Sequence, residues 1–114
     1  RAEVRNPDPA ANPYLALAVL LAAGLEGIEQ DYELPPSVEP NIYKLSADQR
    51  ETIGLGSLPN NLYEAIKETR ESELVRRTLG DHVFERFITN KLNEWYEYRE
   101  QVTDWEIARY YSTI

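Results

Sequence analysis

Residues 1–28, RAEVRNPDPAANPYLALAVLLAAGLEGI, contain the patterns that decide the fold of this chain. Charged residues at positions 1, 3 and 5 alternate with small apolar ones, which predicts a strand over residues 1–5 with the three charges on one face. Asn12 followed by Pro13 is a typical helix start, so we expect a helix over residues 12–29. Because this helix is apolar nearly all round, we expect it to be buried on most sides.

The downstream sequence predicts a loop and then further helices. Residues 30–56 are rich in proline and acidic residues, which is typical of an extended loop. Residues 57–102 are predicted to form helices, because apolar side chains recur at three- and four-residue steps, as at Phe84, Ile88 and Leu92.

The last segment begins with the pattern of a capping box. Thr103 is followed three residues later by Glu106, which predicts a tail helix over residues 103–114. The whole chain is therefore predicted to be mainly α-helical, with one N-terminal strand followed by about five helices.

Composition limits the classes of function. With 114 residues, we expect one domain. A net charge of −8 argues against non-specific nucleic-acid binding, which needs lysine and arginine. The absence of cysteine is consistent with a cytoplasmic protein.

The longest apolar stretch, residues 14–24, is far shorter than the ~20 residues that cross a bilayer, so we expect no membrane span. Without a start methionine, the chain is expected to begin inside a longer protein.

The charged face of residues 1–5 has two interpretations when the residues are considered alone. Alternating charges are common on exposed strand edges, where they are simply solvated. The alternative is a binding face, because a carboxylate is a hard ligand for Mg²⁺ or Mn²⁺ and arginine offers paired donors to phosphate or carboxylate. We expect Glu3, which lies between Arg1 and Arg5, to stay ionised.

The motifs of the chain closely resemble those of type I glutamine synthetases. The pattern R-x-E-x-R, then P-D-P-A-x-N-P-Y and A-G-L-x-G-I, is similar to the family's C-terminal region. The later segments NIYKLS, GSLP, TLGDHVFERF and NEWYEYREQVTDWEIARYY resemble family segments in the same order. The resemblance covers essentially the whole chain, and it implies the C-terminal part of an α+β catalytic domain.

This resemblance implies roles for three residues. Glu3 would be a ligand of the divalent metal, Mg²⁺ or Mn²⁺, that engages the nucleotide phosphates. Arg1 would help to hold the phosphates of ATP. Arg5 would contact the side-chain carboxylate of glutamate as it becomes an acyl phosphate. No residue of the chain is a candidate general base, and we expect the 114 residues alone to be inactive.

The resemblance also implies a reaction and an assembly. The reaction is ATP-dependent ligation of ammonia to glutamate through γ-glutamyl phosphate, which belongs to nitrogen metabolism. The assembly is a homo-oligomer of two stacked six-membered rings, with the C-terminal helix inserted into the facing ring. The alternative is a stand-alone helical module that acts in protein contacts or oligomerisation without catalysis.

Tyr43 occupies a loop position that is adenylylated in one branch of the resembled family. In that branch the tyrosine is followed by an acidic residue, leucine and prolines, whereas this chain has Y-K-L-S-A-D. The departure resembles the branch that lacks this control. We therefore expect Tyr43 to be an ordinary loop tyrosine.

Overall fold

The computed structural model describes residues 3–113, and helices are its only regular elements in that range. The elements, in chain order, are α1 (Pro13–Glu29), a 3₁₀ turn (Ile42–Lys44), α2 (Ala47–Thr52), α3 (Leu62–Glu71), α4 (Glu73–Arg99), α5 (Asp104–Tyr110) and a second 3₁₀ turn (Tyr111–Thr113). The chain divides into two compact units between Asn60 and Asn61. The assignment of the whole chain to one domain stays a prediction.

The predicted strand over residues 1–5 is not found in the described part of the chain. Residues 3–5 have no regular secondary structure, and Arg1 and Ala2 lie outside the described residues. A strand is stabilised by hydrogen bonds to a neighbouring strand, and residues 3–113 contain no strand that could pair with it. Alternating side chains alone are therefore insufficient to form a strand here.

Helix α1 begins where the sequence indicates. Pro13 occupies its first turn, and the Asn12 side chain accepts hydrogen bonds from the backbone N–H groups of Tyr14 and Leu15 at 3.0 and 3.3 Å. These contacts satisfy two of the N–H groups that a helix start leaves without partners. At the other end the Tyr32 hydroxyl donates to Glu26 at 2.9 Å.

The expected burial of α1 is absent from this structure. The helix has no buried residue, and Leu17, Leu21 and Ile28 are all more than three-fifths exposed. Burial depends on surfaces that pack against the helix, and the described residues do not supply them. An all-round apolar helix in this state still has its hydrophobic surface facing water.

The segment predicted as a loop, residues 30–56, contains two short helical elements. The Ser46 hydroxyl accepts from the Gln49 N–H at 3.2 Å, and the Gln49 side chain accepts from the Ser46 N–H at 2.9 Å. This reciprocal pair starts α2. After α2, Gly54 has a φ of 70°, a left-handed conformation that glycine adopts without a steric penalty.

The second unit is a helical hairpin with a small apolar core. Ile66 of α3 and Phe84 and Ile88 of α4 are 3, 1 and 6% exposed. Partly buried apolar side chains surround them, namely Leu62, Val75, Leu79, Phe87, Leu92 and Trp95. The three- and four-residue spacing of apolar side chains predicted this apolar face of α4. Ser72 both ends α3 and caps α4, since its hydroxyl accepts from the Val75 N–H.

The tail helix α5 carries the predicted capping box. The Thr103 hydroxyl accepts from the Glu106 N–H at 3.3 Å, and the Glu106 carboxylate accepts from the Thr103 N–H at 2.8 Å. The Thr103 hydroxyl also donates to the Glu106 carboxylate at 2.8 Å. The backbone N–H and the hydroxyl of Thr103 together favour the ionised carboxylate and lower the pKa of Glu106. The tail remains exposed, with Trp105 63% and Tyr111 80% accessible.

The chain exposes far more surface than its mass predicts. Its accessible area is 10352 Å² at 13.2 kDa, whereas two independent domains of half that mass would together expose about 7,700 Å². Exposed apolar side chains lie on α1 and in the tail, including Leu17, Leu21 and Trp105. The chain therefore retains large surfaces that are suited to packing against further protein.

Candidate functional site

The candidate site is the charged N-terminal segment, in which Glu3 and Arg5 form an ion pair. The Arg5 Nε donates to Glu3 Oε1 at 2.7 Å. Both side chains face solvent, with 57% of Glu3 and 83% of Arg5 exposed. The structure thus brings together two of the three residues singled out from the sequence. The third, Arg1, lies outside the described residues.

The geometry of the pair leaves specific atoms for other partners. The contact uses the Nε of Arg5, and the guanidinium carries four further N–H donors on its two Nη atoms. These donors lie in one plane and match the two oxygens of a carboxylate or phosphate. Arg5 can therefore contact Glu3 and an anionic ligand at the same time.

Glu3 fits the role of one metal ligand but does not complete a metal site. Mg²⁺ at nucleotide phosphates commonly takes one or two protein carboxylates, with water and phosphate oxygens as its other ligands. Within residues 3–113 there is no group of three or more histidine, cysteine, aspartate or glutamate side chains that could hold a metal ion. Glu3 would therefore need further ligands to complete a metal site.

Tyr43 lies in the 3₁₀ turn Ile42–Lys44 and is 89% exposed. Its backbone N–H donates to the Asn41 side chain at 3.1 Å, which fixes the start of the turn. Among the described residues no hydrogen bond or ion pair joins Tyr43 to Glu3 or Arg5. The phenol is accessible, and its assignment as an ordinary loop tyrosine stays a prediction.

One pocket near α2 has no counterpart among the sequence predictions. Its lining residues are Ala47, Arg50, Glu51, Gly54, Leu55, Gly56 and Ser57. The Nε of the half-buried Arg50 has no hydrogen-bond partner in the described part of the chain. In the sequence, this region is marked by the Ser46-x-x-Gln49 pattern, which predicts a helix start but no pocket.

The sequence of the chain was compared with those of known proteins and protein families. The family described as "Glutamine synthetase, catalytic domain" matches residues 1–110. The chain belongs to this family. It is 47% identical over 110 residues to a glutamine synthetase of Staphylococcus aureus and 48% identical to one of Staphylococcus epidermidis. Each alignment covers 96% of this chain and 25% of the relative.

The chain thus spans about a quarter of the length of these glutamine synthetases. Family membership agrees with the mainly helical content of the described residues. It does not favour the alternative of a stand-alone interaction module. No helix in the part of the chain that the structure describes is long and apolar enough to cross a membrane.

Proposed function

We propose that the chain is the C-terminal part of a glutamine synthetase catalytic domain, whose full-length protein ligates ammonia to glutamate with ATP. The observation that carries this proposal is the family match over residues 1–110. The identity of 47% to a Staphylococcus aureus glutamine synthetase over nearly the whole chain supports it. The location is proposed to be the cytoplasm, where ATP and glutamate are available.

The proposed reaction has two steps. An oxygen of the glutamate side-chain carboxylate attacks the γ-phosphorus of ATP, so that a γ-glutamyl phosphate forms and ADP leaves. Ammonia then attacks the acyl carbon, phosphate leaves with the electron pair of the broken C–O bond, and the attacking nitrogen loses a proton to a general base. Both steps place negative charge on phosphoryl or acyl oxygens, which cationic groups stabilise.

In this proposal Arg5 binds the glutamate side chain through its Nη atoms while its Nε holds Glu3. The Arg5–Glu3 hydrogen bond of 2.7 Å supports this division of donors. By holding Arg5, Glu3 fixes the plane in which its remaining donors point. Arg1 is proposed to bind the phosphates of ATP, a role that rests on the family resemblance alone.

Glu3 is also the proposed ligand of a divalent metal, Mg²⁺ or Mn²⁺. When bound, this ion would neutralise charge on the phosphates of ATP. The carboxylate is accessible, and its 2.7 Å contact with Arg5 is made by Oε1. The second carboxylate oxygen is the proposed metal ligand. The other metal ligands and the general base are assigned to the rest of the protein. We therefore expect the 114 residues alone to be inactive.

The full-length protein is further proposed to be a homo-oligomer of two stacked six-membered rings. The exposed tail supports an intersubunit role, because Trp105, Tyr110 and Tyr111 are each more than half accessible. Exposed apolar surfaces of this kind are stabilised by packing against another surface. Tyr43 is proposed to remain unmodified.

Substitution of Glu3 in the full-length protein tests the proposed site. Glu3→Ala should lower the turnover number at least about 100-fold, since even loss of a residue that only supports a metal ligand costs 10–100-fold. It should also raise the metal concentration needed for half-maximal activity, whereas Glu3→Asp should retain part of the activity. Glu33→Ala, which changes an exposed glutamate of the same unit, is the control. Normal turnover and unchanged metal dependence in Glu3→Ala would remove Glu3 from the site.

A further inference from the structure

Helix α4 is interrupted at Gly80, where the backbone is not helical. Gly80 has φ 72° and ψ 152°, although residues on both sides are helical. A positive φ of this size is readily adopted by glycine. A Cβ at this position would meet no atom within 4 Å. The glycine therefore permits a bend in α4, and the space where a side chain would lie is open.

The side chain of Arg76 crosses this break and holds both carboxylates on its far side. Its Nη1 donates to Asp81 Oδ1 at 2.9 Å, and its Nη2 donates to Glu85 Oε1 at 2.8 Å. The arginine lies in the helical turn before Gly80, and both acids lie after it. Because the guanidinium is planar and uses a different nitrogen for each acid, the two hydrogen bonds constrain its position and its orientation.

A third contact joins the same guanidinium to the apolar core. Its Cζ lies 4.3 Å from the centre of the Phe84 ring, a distance typical of a cation–π interaction. Phe84 is 1% exposed, so the surrounding core fixes the ring. The hydrogen bonds that Arg76 donates to Asp81 and, next in size, to Glu85 raise its pKa above the usual value. The guanidinium therefore keeps its positive charge in these contacts.

Apolar packing on the near side of the break is incomplete. Val75 and Leu79, before the break, are only partly buried against the core. Apolar contacts are non-directional, and they tolerate small rotations of one helical segment over another. The hydrogen bonds of Arg76 are directional, and they join residues separated by five and nine positions across the break.

We propose that Arg76 is a conformational clamp that sets the angle between residues 73–79 and residues 81–99 of α4. Three contacts from the Arg76 guanidinium to residues 81–99 hold this angle. They are needed because Gly80 leaves the backbone free to adopt other angles. The clamp aims the segment that carries Phe84 and Ile88 at α3. This role concerns the scaffold, and it stands whether or not the proposed ligase activity is correct.

Distance measurements across the break test the clamp in the full-length protein that contains this chain. Spin labels are attached to cysteines introduced at Glu73 and Asn90, which are exposed on opposite sides of Gly80. The described chain has no cysteine of its own, and any cysteine elsewhere is replaced by serine. Labelled protein is diluted with unlabelled protein so that only distances within one chain are measured.

Arg76→Met keeps an apolar stem over Phe84 and removes both hydrogen bonds. It should shift the mean distance and broaden its distribution. The control, Arg86→Met, removes an exposed arginine from the same helix and should leave the distribution unchanged. An unchanged distribution in Arg76→Met would overturn the proposal.

The carboxylates provide a second test, which does not depend on how well Arg76→Met folds. Asp81 and Glu85 are exposed, so the double variant Asp81→Ala/Glu85→Ala leaves the core intact. It should broaden the distribution as Arg76→Met does, and adding Arg76→Met should produce little further change, since all three residues share one set of contacts. A double variant with the wild-type distribution would show that packing sets the angle and would refute the clamp.

Discussion

Removal of the tail should separate the two rings of the proposed assembly. The perturbation is deletion of residues 105–114 from the full-length protein. In the structure, Trp105, Tyr110 and Tyr111 are 63, 52 and 80% exposed, so the described tail does not bury its rings within its own unit.

The magnitude follows from the exposed area of the three rings. Aromatic side chains bury about 200 Å² each, so the exposed fractions leave about 400 Å² to cover. At about 25 cal/mol per Å², full burial would contribute at most ~10 kcal/mol per subunit. Polar atoms in this surface and the ordering of the tail reduce the figure, and several kcal/mol per subunit remain. Every subunit of a ring makes this contribution, and the summed free energy is sufficient to hold two rings together.

Sedimentation velocity of the full-length protein is the assay. The deletion variant should sediment as single hexameric rings, and Trp105→Ala combined with Tyr111→Ala should weaken pairing to an intermediate degree. Ser112→Ala, which changes an exposed polar residue in the same turn, is the matched control and should assemble normally. An intact double ring with wild-type stability after the deletion would refute the reasoning.

Three further predictions concern the isolated chain, Tyr43 and Glu106. Titration calorimetry of the 114 residues with Mg-ATP should detect no binding, because Glu3 and two arginines do not complete a site; micromolar affinity would contradict this. Mass spectrometry of the full-length protein from nitrogen-replete cells should find Tyr43 unmodified, and an added nucleotidyl group would show the opposite. Hydrogen bonds with Thr103 lower the folded-state pKa of Glu106, so its contribution is present above the unfolded-state pKa and is lost as the pH falls through the folded-state value. Acid should therefore reduce the helical circular dichroism signal of the chain more in the wild type than in Glu106→Gln, because only the wild type loses the contribution of this carboxylate to α5. Equal losses of signal in the two proteins would exclude the effect.

The local sequence determined where helices begin and which faces of α3 and α4 are apolar. Asn12 and the Thr103–Glu106 pair contact backbone groups within three residues, so their effect is present in the sequence itself. Phe84 and Ile88 share a face because of helical periodicity, and both are buried. The order of the motifs along the chain likewise indicates the family, since it depends on the amino-acid sequence alone.

Tertiary structure decided the features that depend on distant surfaces. Residues 1–5 have the alternation of a strand, but a strand also needs a partner with which to pair. The apolar composition of α1 predicts burial, but the actual exposure depends on what packs against it. Arg76 reaches Asp81 and Glu85 only because α4 bends at Gly80. Short-range hydrogen bonds are encoded by neighbouring residues, whereas burial and contacts across a bend require the three-dimensional arrangement of the chain.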